Sequence, residues 1–317
     1  MNILFTNFCN RNCPYCFARG KLVLGNKPAS SYIKLNDLKK IIDFLICSRQ
    51  NEVGIIGGEP TLHPEFKEAV RMILGKGLRI RIFSNGIIKS DNVLFLSKIE
   101  EAKCSIVLNI NSPESYQKRE WLILTRNMEL LNKKHVYLGF NIYKLDFEMD
   151  FLTRLIQKYK FIKRIRVGLS MPLFGCSNKY LQIKDYPYIA GRLVDFAKRY
   201  WSSGIALDFD CGFMMCSFSD AQLGSLFRMG ASLNFSCNPV IDVGPDLNLW
   251  RCFATSMKWN KKLSDFEDME AVYSFYQAKF KAFMRIGATN SCFRCKQLKF
   301  AQCSGGCLGH VLKSFKV

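Results

Sequence analysis

The chain is short of histidine, of acidic side chains and of long apolar runs. Only 3 histidines occur in 317 residues, against 14 cysteines, so a metal centre built on imidazole is a poor fit. No stretch approaches the ~20 apolar residues of a membrane span, and no basic segment followed by an apolar core opens the chain. A cytoplasmic protein that does not enter a membrane is expected. No internal repeat or low-complexity linker interrupts it. Acidic residues number 26 against 46 basic ones, a net charge of +20. The basic residues are scattered: Lys39-Lys40, Arg79, Arg81, Lys133-Lys134, Lys163-Arg164, Arg166 and Lys261-Lys262. None forms an arm or interleaves with aromatics in a recognisable nucleic-acid motif, which argues against nucleic acid. The charge suits a solvated surface or an acidic partner.

Hydrophobic residues make up 49% of the chain, enough for a globular core in one large domain plus an appendage. Cysteine is in excess. Without a secretion signal, metal binding is a better reading of 14 cysteines than disulfides.

Three of them lie together, as Cys9-Asn10-Arg11-Asn12-Cys13-Pro14-Tyr15-Cys16. A cube of four irons and four sulfides has four iron corners. Three thiolates on one loop hold three of them and leave one iron for a ligand that is not protein. Structural zinc wants four ligands, usually as two close pairs, and the nearest histidine, His63, is far along the chain. About forty residues on, the apolar run from Glu52 to Ile56 ends in Gly57-Gly58-Glu59-Pro60-Thr61. This reads as a buried strand and a turn, where glycine lets the backbone approach a ligand and Pro60 fixes the chain.

Together the two motifs resemble those of the radical S-adenosylmethionine (SAM) enzymes. The resemblance implies a [4Fe-4S] cluster on Cys9, Cys13 and Cys16 whose open iron chelates SAM, with Tyr15 alongside. Gly57, Gly58, Glu59 and Pro60 would hold the SAM ammonium. It further implies an electron donor, and an acidic flavodoxin or ferredoxin fits the basic surface.

Strand-like runs at Asn2–Thr6, Val53–Ile56, Arg79–Phe83, Ser105–Ile110, Val136–Ile142 and Ile165–Leu169 alternate with amphipathic helices. Leu38, Ile41, Ile42, Leu45 and Ile46 share one helical face, as do Phe66, Ala69, Val70, Ile73 and Leu74. Phe151, Leu152, Leu155, Ile156 and Tyr159 repeat the pattern. Asn36 and Asp91 are expected as helix caps. Six such units predict an α/β fold with a parallel sheet, matching the partial (β/α)6 barrel that the resemblance implies. Ligands gather at the carboxyl ends of such strands. Ser84 and Asn85, then Asn109 and Asn111, then Ser170 and Met171 fall there, and the resemblance makes them contacts to the SAM carboxylate, ribose and adenine. Alternation fades after residue 200, so the barrel is assigned to 1–203 and a cysteine-rich extension to 204–317.

That extension holds Cys211, Cys216, Cys237, Cys252, Cys292, Cys295, Cys303 and Cys307. Eight thiolates fill two cubes with no open corner. The array Cys292-x2-Cys295-x7-Cys303-x3-Cys307 resembles the SPASM domain of radical-SAM maturases, and Cys237-x14-Cys252 has the spacing of that domain's first pair. Leu247 stands where the family has glycine, the middle gap is longer than usual, and no cysteine follows Cys307. Either Cys211 or Cys216 supplies the missing ligand, giving two auxiliary [4Fe-4S] clusters, or there is one, as in the shorter twitch form. A zinc ribbon from Cys292 to Cys307 is the competing reading. Cys47 and Cys104 are expected as buried, inert thiols. Cys176, in a loop beyond the sixth strand, is a candidate hydrogen-atom donor to a substrate radical, or simply a loop thiol.

The family abstracts hydrogen atoms with a 5'-deoxyadenosyl radical, and auxiliary clusters accept the electron left by an oxidation or bind substrate. Oxidative modification of a peptide side chain by a peptide maturase is the first expectation. A dehydrogenase or epimerase of a small metabolite, a sugar or amino acid, is the second, favoured by the compact length, while the expected absence of a leader-binding domain before the barrel counts against the first. A non-enzymatic metal- or RNA-binding protein is the third, and it leaves both motifs unexplained. Phe253 after Cys252 counts against a sulfatase-activating enzyme, which has an acid there. Asp208, Asp210 and Asp246 are candidate bases or plain surface carboxylates.

Overall fold

Strands apolar on nearly every residue, joined by helices with one apolar face, are stable only as a parallel sheet covered by those helices. The computed structural model, which describes residues 1–22, 31–132 and 135–314, has this architecture; Lys133-Lys134 lies outside the described residues. In chain order the elements are β1 (Asn2–Leu4), α1 (Leu35–Cys47), β2 (Glu52–Ile56), α2 (Phe66–Gly75), β3 (Arg79–Ser84), α3 (Ser90–Ser97) and β4 (Cys104–Asn109). They continue with α4 (Lys118–Leu130), β5 (Val136–Ile142), α5 (Asp150–Tyr159), β6 (Arg164–Leu169), α6 (Tyr186–Tyr200) and β7 (Ala206–Phe209). β1 through β7 pair in sequence order, all parallel.

The alternation therefore runs one strand past the six expected, and β7 lies beyond Gly204. The remaining elements are α7 (Asp220–Arg228), β8 (Ile241–Val243), β9 (Asn248–Arg251), β10 (Lys261–Lys262), α8 (Met269–Met284), α9 (Lys296–Lys299) and α10 (Leu308–Ser314). β8 joins the other edge, parallel to β1 with Asn2 opposite Asp242, and β9 and β10 follow antiparallel. Among the described residues the sheet has ten strands in the order β10-β9-β8-β1-β2-β3-β4-β5-β6-β7, with two edges and so an open barrel. The cysteine-rich part is woven into both edges.

Side chains alternate between the two faces. Ile3, Ile55, Ile80, Ile82, Ile106 and Leu108 pack outward into the main core with Leu38, Ile41, Ile42 and Leu45 of α1 and Phe66, Ala69, Val70 and Ile73 of α2. The inner face carries a small apolar cluster, Leu4, Ile56 and Trp250 with Phe83 and Phe253 against it. Polar pairs share this face: Glu52 with Arg81 at 3.1 Å, Arg164 with Asp208, and Arg166 with Asp210.

Three local expectations fail. Asn36 and Asp91 lie inside the first turns of α1 and α3, whose N-caps are Lys34 and Lys89. Asp91 instead pairs with Lys67 at 2.8 Å, where its charge also suits the helix dipole. Ile46 is 41% exposed. Cys47, the last residue of α1, is exposed while Cys104 is buried.

Candidate functional site

The two sequence motifs meet through their backbones. After β1 the chain runs through Thr6 and Phe8 into the cysteine loop, and the turn after β2 packs beneath it. Gly58 N donates to Thr6 O at 2.9 Å and Glu59 N to Phe8 O at 2.6 Å. A Cβ on Gly58 would lie 2.0 Å from Phe8 O and 2.7 Å from Cys9 N; one on Gly57 would lie 2.8 Å from Thr6 O. The glycines thus admit the base of the cysteine loop, a role the sequence reading gave to a ligand.

Glu59 is wholly buried. Its carboxylate accepts from Thr61 Oγ1 at 2.7 Å, Ser84 Oγ at 2.9 Å, Asn85 N at 2.8 Å and Thr61 N at 3.3 Å. Burial pushes its pKa up while these donors oppose the shift. Through these donors Glu59 ties together the ends of β2 and β3. Asn85 carries the link onward: its amide donates to Asn10 Oδ1 at 2.8 Å and reaches Cys9 Sγ at 3.7 Å, and Asn10 donates to Ile87 O at 2.7 Å. Asn10 was missed in the sequence, although it lies between two motif cysteines.

Tyr15 donates to Asn111 Oδ1 at 2.6 Å and stacks on Tyr143 with ring centroids 4.5 Å apart. Arg11 lies 3.7 Å over the Tyr116 ring and donates to Ser115 O at 2.8 Å. Arg11, Cys13, Tyr15 and Tyr143 line a cavity of about 370 Å³. Asn109 ends β4, its Oδ1 2.4 Å from where a Cβ on Gly139 would be. Pro60 opens a buried helical turn, Pro60–Leu62. Ser170 and Met171 are not part of this network. Ser170 Oγ donates to Lys179 O at 2.6 Å, and the Met171 methyl fills the space beside Gly212. Cys176 lies against Gly20 and lines a separate cavity of about 510 Å³.

Burial, aided by neighbouring thiols, pushes Cys9 up to about 12 and Cys16 to about 11. Such thiols give up their protons when a metal compensates the charge. Among the described residues no three Cys, His, Asp or Glu side chains converge on a position for a single ion. Three thiols on one loop suit the three protein-held corners of an iron–sulfur cube.

The later cysteines also gather. Cys252 has Cys307, Cys237 and Cys211 as electrostatic neighbours, whereas Cys216 has Cys303, Cys292 and Cys295. Asp210 borders Cys211, and Asp208 is committed to Arg164.

An open α/β barrel, parallel from β8 through β7, carries a three-cysteine loop at the carboxyl end of its first strand. Residues 3–136 match the Radical SAM superfamily model. A 7,8-dihydro-6-hydroxymethylpterin dimethyltransferase of Methanocaldococcus jannaschii is 33% identical over 110 residues, 33% of this chain and 21% of that protein. The chain thus spans about a fifth of that relative's length. The radical SAM cyclopropyl synthase TigE of Paramaledivibacter caminithermalis is 20% identical across 99% of this chain and 69% of its own. The crystal structure of Streptococcus suis SuiB bound to S-adenosylmethionine superposes with a TM-score of 0.69 at 16% identity, over 98% of this chain and 73% of SuiB. SuiB has also been solved bound to its precursor peptide SuiA, with a TM-score of 0.65, 18% identity, and coverage of 98% and 72%. Among the described residues no helix is long and apolar enough to cross a membrane.

Proposed function

We propose that this chain is a cytoplasmic radical SAM enzyme that oxidatively modifies a peptide side chain. The observation that carries the reading is the seating of the cysteine loop on the Gly57-Gly58-Glu59 turn, with Gly58 N and Glu59 N bonded to Thr6 O and Phe8 O. Cys9, Cys13 and Cys16 would hold the [4Fe-4S] cluster. Such a cluster, once reduced, would supply the electron for reductive cleavage of SAM bound at its open iron. Glu59 keeps Ser84 and Asn85 in register with Cys9, and Tyr15 orients Asn111. Ser84, Asn85, Asn109 and Asn111 are the SAM contacts of this reading, with Ser170 and Met171 further out. Residues 204–317 hold one or two auxiliary [4Fe-4S] clusters, and an acidic flavodoxin or ferredoxin delivers electrons.

The peptide substrate is supported by the SuiB fold, solved with a precursor peptide. The cavity beside Cys176 favours a second reading, a small-metabolite epimerase in which that thiol returns a hydrogen atom.

Anaerobic protein given SAM and dithionite should release 5'-deoxyadenosine. Replacing Cys9, Cys13 and Cys16 together by Ala should remove about four irons per chain and all of that product. A triple variant that still cleaves SAM would overturn the assignment.

A further inference from the structure

Glu270 is the last acidic residue of the sequence, and the 47 residues after it carry eight of the chain's 46 basic ones. Four of the eight, Arg285, Arg294, Lys296 and Lys299, are exposed. With Ile286 and Phe293 they line one open cavity of about 1430 Å³, and no Asp or Glu is among its described lining residues. None of the four joins an ion pair among the described residues.

The fold keeps the nearest acids in sequence away. Glu270 lies in the first turn of α8, and Asp268 caps that helix by accepting from Ala271 N at 2.8 Å. Arg285 follows the last residue of α8, roughly 24 Å along its axis. That order suits the helix dipole and accounts for Arg285. Arg294, Lys296 and Lys299 belong to the turn Asn290–Arg294 and to α9, and the dipole of α8 gives them no role. Like charges gathered this way repel one another, and a bound anion relieves the repulsion.

Apolar side chains stand among these cations. Phe293 is 87% exposed, Phe300 68% and Ile286 40%. Phe300 N donates to Lys296 O at 2.9 Å, which holds Phe300 beside the basic residues of α9. Single exposed apolar residues are ordinary, but three bordered by unpaired cations make a patch.

We propose that this rim docks an acidic stretch of the peptide substrate. Its carboxylates meet the four cations, and its aliphatic or aromatic side chains pack on Phe293, Phe300 and Ile286. The inference rests on the peptide reading above. Exposed aromatic anchors favour a peptide over an electron carrier, whose brief encounters bury little surface. Ile286 offers no face on which a nucleic-acid base could stack, which favours a peptide over single-stranded RNA.

The test uses the full chain, reconstituted anaerobically, and fluorescein-labelled synthetic peptides of about twelve residues, roughly 40 Å when extended. In the first, Glu alternates with Leu and Phe. In the second Lys replaces Glu, and in the third Ser replaces Leu and Phe. Fluorescence anisotropy should show the first binding about tenfold or more tighter than the others, and weakening between about 50 and 500 mM salt. Arg285→Glu combined with Lys299→Glu should weaken it about tenfold or more, and Phe293→Ser about tenfold. Iron content and SAM cleavage without peptide should stay at the parent level. Phe300→Ser, farther from the cysteines in sequence, replaces Phe293→Ser if that variant loses iron. The proposal is overturned if the first peptide does not bind, if all three bind alike, or if the variants bind it as the parent does. It is equally overturned if oligouridylate binds more tightly than the peptide, or if the double reversal slows reduction by flavodoxin and spares peptide binding. A parent protein that yields no 5'-deoxyadenosine from SAM would instead sink the underlying reading, and that assay contains no peptide.

Discussion

A methyl group on Gly58 has no room: its carbon would sit 2.0 Å from the Phe8 carbonyl oxygen and 2.2 Å from that carbonyl's carbon. Both atoms are backbone and cannot swing aside. Gly58→Ala must therefore lift the cysteine loop off the turn after β2, breaking the bonds from Gly58 N and Glu59 N. Gly191 in the middle of α6 is the contrast, since nothing lies within 4 Å of its Cβ position. There the same change removes backbone freedom from the unfolded chain and should stabilise by about 1 kcal/mol. Gly58→Ala should destabilise by roughly 2 kcal/mol or more through backbone strain and lose the N-terminal irons. Thermal melts and iron counts of the two variants check this, and a Gly58→Ala protein with full iron content would refute it.

β8 shows how an element of three residues sets a property of the whole sheet. It lies parallel to β1 and brings Asp242 under the barrel, where Asn2 donates to its carboxylate at 2.9 Å. Burial pushes the Asp242 carboxyl up to about 7, against the opposing pull of Asn2 and the N-terminal ammonium. The folded state then keeps a proton that the unfolded chain releases near pH 4. The stabilisation is full below that pH and disappears as pH rises through about 7. Asp242→Asn should flatten this dependence and raise stability at pH 8 by up to a few kcal/mol. Urea midpoints of both proteins at pH 5 and pH 8 decide it, and equal slopes with pH would count against it. β8 was invisible in the sequence, as were β9 and β10. β8 and β9 form an antiparallel pair with no helix between them and β10 is two lysines, so neither the strand–helix alternation nor an apolar run marks them, whereas β1 to β6 stood out as apolar runs between helical faces. The site was legible to the same degree. The cysteine and glycine motifs announced themselves by residue type. The Asn10–Asn85 bond spans 75 residues and the approach of Cys216 to Cys303 spans more, so only the folded chain brings either pair together.

At the scale of the molecule the governing quantity is the net charge of +20. Many basic residues are already paired, as Arg81 is with Glu52 and Arg199 with Asp150, yet basic residues outnumber acids by far and no one tract dominates. A field of this kind speeds encounter with an acidic electron-transfer protein from many directions, and salt suppresses it once the Debye length falls below the approach distance. Under the proposed function, cluster reduction by an acidic flavodoxin should therefore slow about tenfold or more between 50 and 500 mM salt. Reduced methyl viologen, a small cation, should not slow over that range, because the same field repels it and salt relieves the repulsion. A scattered field also predicts that single reversals matter little. Lys39→Glu, at an exposed position of α1, should change the flavodoxin rate less than twofold, since it removes only two of many charges. Stopped-flow reduction across the salt series measures both effects. A flavodoxin rate indifferent to salt would mean that its encounter is not steered by charge, and the excess of lysine and arginine would then serve only to keep the surface solvated.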